Sequence, residues 1–187
     1  IITASINSKI KFLTLYTFST ENWKRPKKEI NFLFDLIRKA LKKNLKKILN
    51  QGIKVNIIGS KKNLPVDIKE IIKYIEKKTS LNKRITLNLA LNYGSKEEII
   101  MAFKNLLKKK IKINIKNFEH ELYTKNIPVP DILIRTGGNK RLSNFLLWQS
   151  AYSEIFFVNK MWPEFDEKDL SLIVNKFYKI KRNFGKI

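Results

Sequence analysis

Apolar positions along this chain switch between two spacings. In residues 10–18 they crowd together, with Phe12, Leu13, Leu15 and Tyr16 all apolar, which predicts a strand. After the polar stretch 19–26 they recur at helical spacing as Ile30, Leu33, Phe34, Ile37, Leu41, Leu45 and Ile48. Pro26 suits the first turn of that helix, and Gly52 lies beyond its end. The alternation repeats: a strand over 54–58, an amphipathic helix over 65–78, and a strand over 85–91 that runs into Asn92-Tyr93-Gly94. Ser95 and Glu98 read as a capping box for a helix to about Lys109, because a cap serine and a glutamate three residues on satisfy each other's free amides. A helical piece over 118–125 precedes Pro128 and Pro130, which break the chain before a short apolar strand, Asp131-Ile132-Leu133-Ile134. Residues 143–150 read as helix and 155–158 as a last strand, and Asp166 caps a final helix ending near Gly185. Strands alternating with helices predict an α/β single domain, with a mostly parallel central sheet flanked by helices. Residues 1–9 look like the end of a helix, so the pattern opens in mid-course.

Composition narrows the chemistry. With 187 residues, 43% of them hydrophobic, the chain is long enough for one well-buried core. It has neither an apolar run long enough to span a bilayer nor a signal peptide, so a soluble, cytoplasmic protein is expected. Zero cysteines exclude disulfides, thiolate catalysis and Cys-ligated zinc, and the single His120 leaves no histidine cluster. Any metal is therefore a hard, oxygen-bound one such as Mg²⁺. The net charge of +23 invites a nucleic-acid reading. Most lysines, however, lie along helix faces, as in Lys42, Lys43, Lys46 and Lys47, and abundant Lys, Asn and Ile also follow from AT-rich codon bias. Attraction of anionic substrates or of a membrane surface fits the same charge.

The strand at 131–134 delivers Arg135-Thr136-Gly137-Gly138 to a strand's carboxyl end, where ligands bind in open α/β sheets. Two glycines, Arg135, Arg141, the Ser143 hydroxyl and a helix expected to begin near Ser143 are together the chemistry of diphosphate capture. A Gly-Gly turn with surface arginines and an ordinary serine cap explains the same residues.

Longer runs carry a resemblance. Thr17-Phe18-Ser19-Thr20-Glu21-Asn22-Trp23-Lys24-Arg25-Pro26, the Asn92-Tyr93-Gly94 strand end, residues 135–149, and Ala151-Tyr152-Ser153-Glu154 through Trp162-Pro163 are together similar to the cis-prenyltransferases. Within that family they most resemble the bacterial undecaprenyl diphosphate synthases, in the same order over essentially the whole chain. The resemblance implies that Arg135, Arg141 and Ser143, with Lys140 and Leu142 in the same run, hold the diphosphate of isopentenyl diphosphate. It makes Glu154 a ligand of Mg²⁺ and Asn22 the group that helps remove the proton lost on condensation. Ser19, Thr20, Glu21, Trp23 and Arg25 surround Asn22 in a substrate loop. Glu29 matches a family acidic position and also complements the helix dipole. The implied activity is repeated condensation of isopentenyl diphosphate with an allylic primer, farnesyl diphosphate, giving a long product such as undecaprenyl diphosphate, precursor of a cell-wall lipid carrier. A homodimer without nucleic acid, peripheral to the inner membrane face, is implied, with hydrocarbon-tunnel walls from the helix after Pro26 and the strand from Ile85.

Departures from the family set further expectations. Its first strand and an Asp-Gly-Asn-Gly-Arg loop, which cradles the allylic diphosphate, do not occur before Ile1. The chain reads as one domain, 1–187, lacking that segment and inactive without its aspartate. Asn139 and Lys140 replace a common Glu and His, and Ser95-Lys96 a commoner Gly-Arg. A non-catalytic partner subunit or degenerate fragment, and more remotely a basic nucleic-acid-binding domain, are the alternatives.

Overall fold

Every strand pair among the described residues is parallel. The computed structural model describes residues 1–183. In chain order the elements are α1 (Ile2–Asn7), β1 (Phe12–Ser19), α2 (Lys27–Asn50), β2 (Ile53–Ile58), α3 (Val66–Thr79), β3 (Ile85–Tyr93), α4 (Ser95–Lys109), α5 (Ile115–Glu119), β4 (Ile132–Arg135), β5 (Glu154–Phe157) and α6 (Glu167–Phe177). The α/β class with a parallel sheet flanked by helices is as expected, but the sheet comes in two parts, ordered β1-β3-β2 and β4-β5. Residues 9–15 and 128–134 line a cavity of about 430 Å³ between β1 and β4, with Ser5, Phe145 and Gln149 also on its wall.

The helical spacing read in the sequence is the spacing that is buried. Ile30, Phe34, Leu41 and Ile48 of α2 join Ile68, Ile72 and Ile75 of α3 and pack with Ile53, Val55, Ile85 and Leu87 of the sheet. Each such side chain contributes about 1.5–3 kcal/mol on burial. Side chains of the two segments expected to wall a hydrocarbon tunnel share this core cluster. At the outer side of β2, the amides of Val55 and Ile57 donate to Thr79 Oγ1 at 3.0 Å and Glu76 Oε1 at 2.9 Å, so α3 side chains cover that edge. Phe165, Leu170, Ile173 and Val174 form a second core against Ile132, Ile134 and Phe156.

Four local expectations are corrected. The Ser95/Glu98 capping box does not form: Gly94 is the cap residue, with no side-chain bond. Both side chains are instead taken by tertiary partners, since Ser95 Oγ accepts from the Leu147 amide at 3.1 Å and Glu98 is fully buried. Residues 143–150 are turns rather than helix, because Ser143, Asn144 and Leu146 stand at φ +48°, +61° and +46°. The helical piece expected over 118–125 is instead α5, Ile115–Glu119, followed by turns; it starts early because Asn114 Oδ1 accepts from the Asn117 amide at 2.8 Å. Asp166 caps α6 as expected, but the helix stops at Phe177 rather than near Gly185, and the described residues after it, 178–183, are not helical.

Gly59, just after β2, has φ +123°, and a Cβ there would overlap the carbonyl oxygen of Leu91 on the neighbouring strand. Gly59→Ala is expected to destabilise the fold by about 2 kcal/mol in chemical denaturation, since strained backbone and backbone overlap combine there.

Candidate active site

Arg135 closes β4, and the chain leaves it through Gly137 and Gly138 at φ +85° and +72°. Those values favour glycine, and they turn the loop back onto the far side of β5: the Gly137 amide donates to Lys160 O at 2.8 Å and the Gly138 amide to Val158 O at 3.0 Å. The glycine amides are thus engaged, and with no helix at Ser143 the expected free helix amides are absent from this loop. What remains is side-chain chemistry. Arg135 Nη1 donates to Arg141 O at 2.8 Å and to Ser143 Oγ at 2.7 Å, while its buried Nε has no hydrogen-bond partner. A buried donor without a partner costs about 1–3 kcal/mol, so its persistence points to a ligand that supplies the acceptor. Lys140, Arg141 and Ser143 are exposed around it, with Leu142 half-buried.

The substrate loop comes from the carboxyl end of β1. Residues Thr20–Lys24 form a single 3-10 turn, which Asn22 stabilises by accepting the Ser19 amide on Oδ1 at 2.8 Å. Trp23 serves as an anchor, packing on Phe18 and Phe34 with ring centres 5.3 and 5.6 Å away and donating from Nε1 to Asn92 Oδ1 at 2.7 Å. Asn92, at φ +50°, passes the restraint on by donating to the carbonyls of Ser60 and Lys62. Arg25 pairs with Glu29 at 2.6 Å on the surface, one turn apart.

The two loops meet through Glu21 of the expected substrate loop and through Asn144 and Glu97, to which the sequence reading had given no role. Asn144 Nδ2 donates to Glu21 Oε1 at 2.8 Å and to Glu97 Oε2 at 3.0 Å, so one amide bridges both. Burial works to raise the Glu21 pKa, but hydrogen bonds from Asn144, its own amide, Ser19 and Thr20 outweigh it and hold the carboxyl below its ordinary value. Behind them Tyr16 stacks on Phe145 at 4.5 Å, and burial, then the Glu21 charge, push its phenol up. Deeper still, the fully buried Glu98 accepts from Tyr93 OH at 2.5 Å, Gln149 Nε2 at 3.0 Å and the Tyr123 amide at 2.8 Å. The available signal for Asn144 was its residue type, since asparagine tolerates left-handed backbone better than most side chains.

Glu154 is not brought to this cluster within one chain. It pairs with Ile132 at the start of the β4-β5 ladder, three positions before the Arg135–Phe157 pair, or about 10 Å along the strand. Its carboxylate lies 3.7 Å from Arg182 Nε. Among the described residues no group of three or more His, Cys, Asp or Glu side chains is placed to hold a metal.

The chain is similar to known proteins along nearly its whole length. The undecaprenyl diphosphate synthase family model matches residues 1–185. An isoprenyl transferase of Thermotoga maritima is 42% identical over 186 residues, covering 97% of this chain and 80% of the relative. One from Helicobacter pylori is 46% identical over 187 residues, with the same coverage of 97% and 80%. A probable undecaprenyl diphosphate synthase of Campylobacter jejuni superposes with a TM-score of 0.91 at 37% identity, covering 99% of this chain and 88% of that one. Lavandulyl diphosphate synthase from Lavandula x intermedia, in complex with dimethylallyl diphosphate, gives a TM-score of 0.93 at 34% identity, covering 100% of this chain and 84% of that one. An arginine-serine cluster at a parallel strand's end, the Asn22 loop against it, and this extent of similarity lead to one conclusion: the chain belongs to the undecaprenyl diphosphate synthase family and is a cis-prenyltransferase.

Proposed function

We propose that the reaction is cis chain elongation, in which isopentenyl diphosphate condenses repeatedly with an allylic diphosphate, farnesyl diphosphate as primer, to a long product such as undecaprenyl diphosphate. The observation that carries this is the Arg135 guanidinium, held by Ser143 and Arg141 O with its buried Nε left unpartnered. A diphosphate oxygen is the acceptor that chemistry asks for. Arg135, Arg141 and Ser143 bind the isopentenyl diphosphate, with Lys140 and Leu142 beside them. Ser19, Thr20, Glu21, Trp23 and Arg25 shape the loop that presents Asn22. The isopentenyl double bond attacks C1 of the allylic partner and the C1–O bond breaks. Diphosphate leaves with that electron pair, and a proton lost near Asn22 leaves the new cis double bond. Arg135 and Arg141, on the diphosphate that does not leave, position the isopentenyl double bond for attack.

Mg²⁺ is the cation proposed to accompany diphosphate. Glu154 offers one carboxylate, which fits an ion that takes one or two carboxylates and fills its shell with substrate oxygens and water. Bound there, it would supply neutralisation of diphosphate charge, at a point about 10 Å along the ladder from Arg135 within one chain. The protein is proposed to act as a homodimer, in keeping with the exposed Ile155 and Phe157 of β5, and to work at the inner face of the membrane. Among the described residues no helix is long and apolar enough to cross one.

Titration with isopentenyl diphosphate tests this reading without requiring turnover. Saturable binding, competed by inorganic diphosphate and largely kept as salt is raised from 50 to 200 mM (about those values), is the expected outcome. Absence of binding, or affinity that falls steeply with salt and is matched by RNA, overturns it.

A further inference from the structure

The loop carrying Arg141 and Ser143 holds three non-glycine residues in the left-handed region within four positions, Ser143, Asn144 and Leu146. Such residues cost about 1–3 kcal/mol each, and they persist only where their surroundings over-determine them. Here the determinant is Asn144. Its carbonyl accepts the Ser95 amide at 2.8 Å, and its Oδ1 accepts the Lys96 amide at 2.8 Å. These are the first two amides of α4, which have no partner inside the helix. Its Nδ2 carries the two remaining bonds, to Glu21 and Glu97. Only a side chain with an acceptor on one branch and a two-proton donor on the other satisfies all three neighbours at once; aspartate would set a third carboxylate against two. Gly94 leaves the space for this junction, since a Cβ there would overlap the Glu97 carboxylate, the Thr20 hydroxyl and the Asn144 amide.

We propose that Asn144 is a positioning residue that couples the two substrate loops, fastening the Arg141–Ser143 segment to the first turn of α4 and, through Glu21, to the turn that presents Asn22. It touches no reacting atom; it holds Ser143, and through Ser143 the Arg135 fork, in register with the second loop. This rests on the reading of Arg135 and Ser143 as the diphosphate-binding residues.

The test is a set of calorimetric titrations with isopentenyl diphosphate, with melting temperature recorded for each protein. Asn144→Asp is expected to weaken binding about 10-fold, as the hydrogen bonds to the Glu21 and Glu97 carboxylates become repulsions. Adding Glu21→Gln to it is expected to restore affinity about 3-fold, because the new amide can donate to the new carboxylate. A residue that only supports the fold would lower the melting temperature without this rescue. Glu97→Gln, an exposed change that leaves the fold intact, is expected to cost about 3-fold through the same amide. Unchanged affinity in Asn144→Asp and Glu97→Gln, or additive losses without rescue, overturns the coupling while wild-type binding still supports the diphosphate site. A wild-type protein that fails to bind overturns both.

Discussion

Arg135→Ala is expected to weaken isopentenyl diphosphate binding about 100-fold in calorimetric titration, with little change in melting temperature. The affinity loss follows from the number of bonds at stake. A guanidinium meeting a diphosphate with two charge-assisted hydrogen bonds is worth about 3 kcal/mol, and each 1.4 kcal/mol is a factor of about ten. The stability term is small because two changes oppose each other. Removing the side chain forfeits its bonds to Arg141 O and Ser143 Oγ but also removes the unpartnered buried Nε. Arg135→Lys separates charge from geometry: a lysine keeps the charge without the fork, so about a 10-fold deficit is expected to remain. Ser143→Ala, losing one neutral hydroxyl, is expected to cost about 5-fold. Wild-type affinity in folded Arg135→Ala would remove the diphosphate assignment and leave the arginine as a loop brace.

How much of this was legible in the sequence depends on where each residue's partners lie. The long helix was readable because Ile30, Phe34, Leu41 and Ile48 bury one face, and burial imposes the 3.6-residue period on the chain itself. The strands were readable for the same reason, with β2 and β3 mostly buried along their lengths. The family motifs were visible as residues, and the matched family model covers the chain that carries them. The geometry of residues 143–150 was not legible. Its apolar positions fit a helix, but Ser95 N, Lys96 N, Glu21 and Glu97, all distant in sequence, pull Asn144 into a left-handed turn. Ser95 and Glu98 failed as a capping box on the same ground. The local pattern was correct chemistry, and stronger tertiary partners claimed both side chains. The division of the sheet was equally invisible, since strand order is fixed by edges that periodicity does not encode.

Glu98 is the site where a single change is expected to cost the fold most. Its carboxylate is fully buried, and the three groups that bind it, Tyr93 OH, Gln149 Nε2 and the Tyr123 amide, are neutral donors. Glu98→Leu preserves bulk but strands these donors. Gln149 keeps its second bond to Thr124 Oγ1, so the loss falls chiefly on Tyr93 and the Tyr123 backbone. At about 1–3 kcal/mol for each unpaired donor, a total near 4 kcal/mol is expected, or a melting temperature lower by about 12 °C for a chain of this size. Glu98→Gln should lose only about 1–2 kcal/mol, since its carbonyl still accepts from Tyr123 and the Tyr93 hydroxyl can turn to accept from the new amide. Tyr93→Phe removes a donor rather than stranding one and is expected to cost about 1 kcal/mol. A Glu98→Leu protein as stable as wild type would mean that desolvating the carboxylate already cancels its three bonds, as in buried ion pairs that apolar residues replace without loss. The ordering Leu, then Gln, then Tyr93→Phe would instead identify the network as what ties β3, α4 and the segment before β4 together, with Gln149 carrying that restraint to the end of the arginine loop.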